Sequence, residues 1–136
     1  MMDLRWEILL PYQSLFITGI WMTIKLTLIA LCIGLILGLF IGLFTSQKTK
    51  GWMQIPRALL KVYVGMLRGT PLFVQILLVH FALMPTLIQP EHGLLLSGEA
   101  ASEFRQAHGA FFSGALALTL NASAYISEIV RAGIQS

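Results

Sequence analysis

Cysteine, histidine and charge of either sign are all scarce in this sequence. The 136 residues hold one cysteine, three histidines, six acids and nine bases. A lone cysteine excludes an intrachain disulfide, and Cys32 lies inside an apolar run as a small lipid- or helix-facing side chain. His80, His92 and His108 lack metal-ligand spacing, and there is no Gly-rich phosphate loop, no H-E-x-x-H and no paired-carboxylate site. No catalytic, cofactor-binding or metal-binding residue is therefore expected. Charged residues make up only 11% of the chain, against about 25% in a soluble domain. So few charges cannot coat a water-facing surface. The bases that exist flank apolar runs, which gives nucleic acid no binding face.

What the sequence does have is long apolar stretches. Hydrophobic residues make up 57% of it, with a mean hydropathy of +0.80. Crossing ~30 Å of hydrocarbon takes about 20 apolar residues in a helix. Three stretches qualify, at about 17–44, 71–88 and 110–130, and they predict an all-α membrane protein with three transmembrane helices. The first stretch begins too late and runs too long for a signal peptide. Asp3 and Glu7 precede it and no A-x-A site follows, so it is expected to stay as an anchor.

Orientation follows from lysine and arginine in the short flanks. Lys48, Lys50, Arg57, Lys61 and Arg68 lie between the first two spans, with no acid among them. The leader offers Arg5, and residues 89–109 offer Arg105 against Glu91, Glu99 and Glu103. The first connection is thus expected in the cytoplasm. The N-terminus and an external loop at about 89–109 face outward.

Within the cytoplasmic connection, Gln54, Arg57, Lys61, Gly65 and Arg68 share an arc of about 80° on a helix, and most other positions are apolar. A basic amphipathic helix over about 54–68, anchored at the membrane interface, fits this pattern. A calmodulin-type or anionic-lipid target is the more specific alternative. Residues RGTP follow. Gly69 breaks the helix, Thr70 suits an N-cap, Pro71 suits the first helical position, and Arg68 stays at headgroup level. Arg68, Gly69, Thr70 and Pro71 would so form the turn into the second span. One unbroken helix from Pro56 to Ile88 is the competing geometry.

Small and polar residues mark the spans. Gly34, Gly38 and Gly42 put three glycines on one face, suited to close helix packing. Ala110, Gly114, Ala117, Asn121, Ala124 and Glu128 fall within about 80° on the third span. Gly114 and Ala117 suit packing there. A lipid-facing carboxylate at mid-depth costs about 3 kcal/mol, so Glu128 is expected near the cytoplasmic end, paired or solvated, and Arg131 is one helical turn away. Asn121 and Glu128 either tie helices together or line a solute path. Gln75 and His80 divide in the same way, and Lys25 can snorkel to the headgroups.

The runs GIWMTIKLTLIALCIGLILGLFIGL, RGTPLFVQ and LALTLNASAYISEIVRAGIQS, in that order, closely resemble the permease subunit of bacterial ABC importers for polar amino acids, the histidine, glutamine, glutamate and arginine class. The resemblance covers nearly the whole chain and corresponds to the N-terminal portion of such a permease. It implies a core of five membrane helices and inward movement of the solute by alternating access. It also implies three protein partners: an external solute-binding protein, a cytoplasmic ATP-binding subunit that hydrolyses ATP in place of this chain, and a second permease subunit. The setting would be the bacterial inner membrane, with lipid all round. Gln75, Asn121, Tyr125 and Glu128 become candidates for a solute path or gate. Glu128 and Arg131 would approach the helix that couples to the ATPase. That segment and two further helices do not follow here, so the chain alone is expected not to transport. A small non-transporting membrane scaffold is the rival reading, and an ion channel built on Lys25, His80 and Glu128 a weaker one.

Overall fold

Inside hydrocarbon a backbone must satisfy its own hydrogen bonds, and a single apolar segment does so only as a helix. The computed structural model, which describes residues 10–47 and 50–136, is helical in this way, with no strand among the described residues. Arg5, Lys48 and the acids of the leader lie outside them. After a 3-10 turn at Leu10–Tyr12, helix α1 spans Gln13–Ser46. At 1.5 Å per residue it is roughly 50 Å long, more than a bilayer core requires. The Thr18 and Thr23 hydroxyls in its first turns donate to the Ser14 and Gly19 carbonyls one turn back.

Helix α2 spans Gln54–Gly69, and α3 begins at Leu72. The helical segments on either side of the corner are bent by 112°, so the unbroken helix from Pro56 is not adopted. Pro71 is the cause. It forces the preceding Thr70 into extended backbone (φ −107°, ψ 139°) and itself stays outside the helix at ψ 137°. Gly69 is the last residue of α2 and does not have a positive φ. The capping expected from the sequence also differs. Pro71 takes the position before the first helical residue, and the Thr70 hydroxyl donates backward to the Met66 carbonyl at 2.9 Å. Thr70 thus closes α2 and does not open α3.

Beyond the corner, α3 (Leu72–Leu78), a π turn at Val79–Leu83 and α4 (Met84–Leu87) form one continuous rod. Pro85 lacks the N–H of a regular helix, and the wide turn falls immediately ahead of it. A hydrogen-bonded connection leads from the rod to α5, Glu99–Gln135. Its helix starts at Glu99, well ahead of Ala110, so residues 99–109 of the connection are helical.

By length and composition α1 and α5 are each able to cross a membrane, and the bent α2–α4 segment makes a third candidate. Helix α5 occupies the middle. On one side it lies parallel to α1, where Gly34, Gly38 and Gly42 face Ala122, Ile126 and Val130 in equal steps along both helices. On the other side Val79, Met84 and Ile88 pack with Ala101 and Ala117 in an apolar core. Gly114 sits opposite Leu26 of α1.

Candidate functional site

Polar side chains gather where the α2–α3 corner meets α5. Gln75, one turn into α3, is 5% exposed. Its amide nitrogen donates toward the Leu67 carbonyl at 2.6 Å, the Thr70 carbonyl at 3.0 Å and the Thr70 hydroxyl at 2.9 Å. Its carbonyl oxygen accepts from Asn121 Nδ2 at 3.1 Å. One side chain therefore satisfies the carbonyls that the corner frees and fastens that corner to α5, the need created when proline breaks a helix inside an apolar layer.

A charged group lies about two to three turns further along α5. Arg131 holds Glu128 in a two-pronged pair, Nε to Oε1 at 3.1 Å and Nη2 to Oε2 at 2.7 Å. Arg68, from the end of α2, reaches the same carboxylate at 3.3 Å and stands 5.6 Å from the centre of the Tyr125 ring. Two guanidiniums on one carboxylate leave the cluster with net positive charge. Tyr125 is half-exposed beneath it.

The structure thus brings Arg68, Thr70, Gln75, Asn121, Tyr125, Glu128 and Arg131 to one junction. Ala117 and Ala124 are buried beside them, whereas Ala110 is exposed at the other end of the helix. His80 and Lys25 stand apart. The His80 ring lies 3.0 Å from the Ser113 hydroxyl, and Lys25 lies over the Trp21 ring on α1. No hydrogen bond among the described residues joins either of them to Glu128.

Sequence reasoning missed the contact that seats α2 on α5. The Tyr63 hydroxyl is 2.8 Å from the Ser123 hydroxyl and donates to the Leu120 carbonyl at 3.2 Å, with Ser123 fully buried. Tyr63 falls among the apolar positions of α2, and nothing in its spacing separates it from Val62 or Val64. Arg57 belongs by sequence to the basic face of the amphipathic helix, and the structure adds that its Nε donates to the Thr45 carbonyl at the end of α1. Tyr63→Phe is expected to lower the thermal stability of the purified chain by about 1 kcal/mol, the worth of one partly buried hydrogen bond. An unchanged melting temperature would show that the hydroxyl contributes nothing there.

Over 99% of its length this chain is similar to a solved structure described as an amino acid ABC transporter with histidines, with a TM-score of 0.71 and 35% identity, covering 53% of that chain. A Rickettsia conorii protein named for a glutamine transport system permease is 35% identical over 80 residues, 59% of this chain and 29% of its own. The nopaline transport system permease protein of Agrobacterium fabrum is 40% identical over 74 residues, 54% of this chain and 27% of its own. No family model matches. The homologues are amino-acid ABC transporter permeases, and the chain spans about half the length of the curated relatives it matches. Its apolar helices and this kinship place it in the bacterial cell (inner) membrane.

Proposed function

We propose that the chain supplies part of the membrane-spanning subunit of an ATP-driven importer for polar amino acids, working by alternating access. The observation that carries this reading is the Gln75–Asn121 contact. It joins the RGTP corner to the LNASAYISE helix in a chain that shares fold and 35% identity with an amino acid ABC transporter over nearly its whole length. A polar pair in an apolar sheath is costly and marks a place that meets solute or water when the helices part. The spans are 17–44, 71–88 and 110–130, with α2 on the cytoplasmic side and residues 89–109 outside. Gln75, Asn121 and Tyr125 face the solute path, and the Arg68–Glu128–Arg131 cluster gates its inner end. Gly34, Gly38, Gly42, Gly114 and Ala117 hold the helices together. A cytoplasmic ATP-binding subunit hydrolyses the nucleotide, an external binding protein delivers the amino acid, and a second permease subunit completes the pathway.

Vesicles carrying a permease of full length that contains this segment, with its ATP-binding subunit and binding protein, are expected to accumulate labelled glutamine, arginine or histidine only when ATP is supplied. Asn121→Leu lowers uptake several-fold at equal protein content. Absence of uptake for every amino acid tried would return the chain to the reading of a non-transporting scaffold.

A further inference from the structure

Side chains of α2 separate into three sectors around its axis. At about 100° per residue, the covered positions Leu60, Tyr63, Val64 and Leu67 form one sector, turned to α5 and the end of α1. Gln54, Lys61 and Arg68 form a polar edge beside it. The third sector is a stripe in which Ile55, Leu59, Val62 and Met66 fall within an arc of about 60°. These four are 66%, 66%, 59% and 65% exposed, and Trp52 at the start of the same stripe is 76% exposed. This is a large apolar strip on a helix whose opposite side is already packed.

Contacts on α5 fix which way each edge points. Tyr63 meets α5 at Leu120 and Ser123, while Arg68 reaches Glu128, further toward the C-terminal end of α5. The polar edge is therefore turned to the end that the proposed orientation puts in the cytoplasm. The stripe is turned the other way, toward the bilayer interior and away from the bundle.

We infer that α2 is a shelf embedded in anionic lipid: Ile55, Leu59, Val62 and Met66 enter the acyl chains of the cytoplasmic leaflet while Lys61 meets anionic phospholipid headgroups. The inference rests on the orientation given under Proposed function. Charge complementarity selects lipid as the occupant. Residues 50–69 carry Lys50, Arg57, Lys61 and Arg68 and no acid, and Lys61 has no ion pair among the described residues. An ammonium beside an apolar stripe suits a bilayer, where the stem lies in the apolar layer and the charge reaches the headgroups. A protein partner would have to supply both an apolar groove and a matching acid. The apolar surface also resumes past the corner at exposed Phe73, Leu78 and Phe81, which a spanning rod presents to lipid.

The test uses the whole chain in nanodiscs, on a Cys32→Ser background, with nitroxides at Leu59→Cys, Val62→Cys or Lys61→Cys. Stripe labels are expected to collide with oxygen and to be shielded from a water-soluble nickel chelate, whereas nickel reaches the Lys61 label. Replacing part of the phosphatidylcholine by phosphatidylglycerol increases the shielding, and Lys61→Gln abolishes that increase while circular dichroism stays unchanged. Nickel contact along the stripe overturns the inference. So does shielding from both reagents with dilution-dependent spin coupling, which would mean that a second copy covers the stripe. Indifference to phosphatidylglycerol overturns the anionic assignment. Reaction of Lys50→Cys with an impermeant thiol reagent in intact cells would instead overturn the orientation, and the stripe's lipid contact would still be read from the nitroxides.

Discussion

Gly38→Ala is expected to destabilise the chain by about 1–3 kcal/mol, the usual cost of forcing extra volume into a filled interface. A Cβ on Gly38 would lie 2.7 Å from Ile126 Cβ and 2.9 Å from the Ser123 carbonyl oxygen. The second neighbour is main chain and cannot rotate aside, so the whole of α1 must back away from α5. Gly42 meets the same obstacle, 2.8 Å from the Ser127 carbonyl oxygen, while at Gly34 the nearest main-chain oxygen is 3.2 Å away. Gly19 has nothing within 4 Å. Thermal denaturation in detergent should therefore rank Gly38→Ala and Gly42→Ala as most harmful, Gly34→Ala next, and Gly19→Ala as neutral or mildly stabilising. Equal small gains at all four would mean that the helix propensity of alanine, and not the close α1–α5 approach, decides the outcome.

The other large effect is expected at Gln75→Leu. The substitution keeps most of the volume but strands the Leu67 and Thr70 carbonyls and the Asn121 amide, each otherwise served by the Gln75 side chain. An orphaned buried polar group costs about 1–3 kcal/mol, so three together predict about 3 kcal/mol or more. The loss should appear first at the corner, as faster amide exchange at Thr70 and Gln75, whose N–H groups bond to Met66 and Pro71. Asn121→Ala removes a single bond to Gln75 and should cost about 1 kcal/mol. Since the two side chains touch, the double variant should fall short of the sum of the singles. A Gln75→Leu chain as stable as Asn121→Ala would show that water, not this amide, satisfies the corner.

Periodic features of the site are legible in the sequence, and most reciprocal ones are not. The four-residue step of Gly34, Gly38 and Gly42 shows one flat face in the sequence, but not that Ala122, Ile126 and Val130 fill it. Asn121 and Glu128 could be placed on one arc of the third span because helical phase is local information. Gln75 stands out in the sequence as their best candidate neighbour, and it does bond to Asn121, whereas the reach of Arg68 to Glu128 depends on the corner geometry. The corner itself was visible in Gly69–Thr70–Pro71. Its mechanism was not, because a threonine hydroxyl serves a following helix or the carbonyl behind it equally well, and the extended backbone before Pro71 decides between the two. Tyr63 and Ser123 carry no pattern at all. A hydroxyl at the tip of an aromatic ring looks apolar by position until a buried serine is found opposite it.

The wide turn at Val79–Leu83 has a geometric consequence for the whole junction. In an uninterrupted α-helix Gln75 and Met84 would project about 180° apart, yet both are buried, as are Val79 and Ile88. The turn absorbs one residue beyond what a regular helix needs, and that surplus rotates the C-terminal half of the rod back into phase with the N-terminal half. Amide anchor and apolar wedge can therefore press on the same neighbour at different depths, and a movement that tightened the coil to regular pitch would have to release one of them.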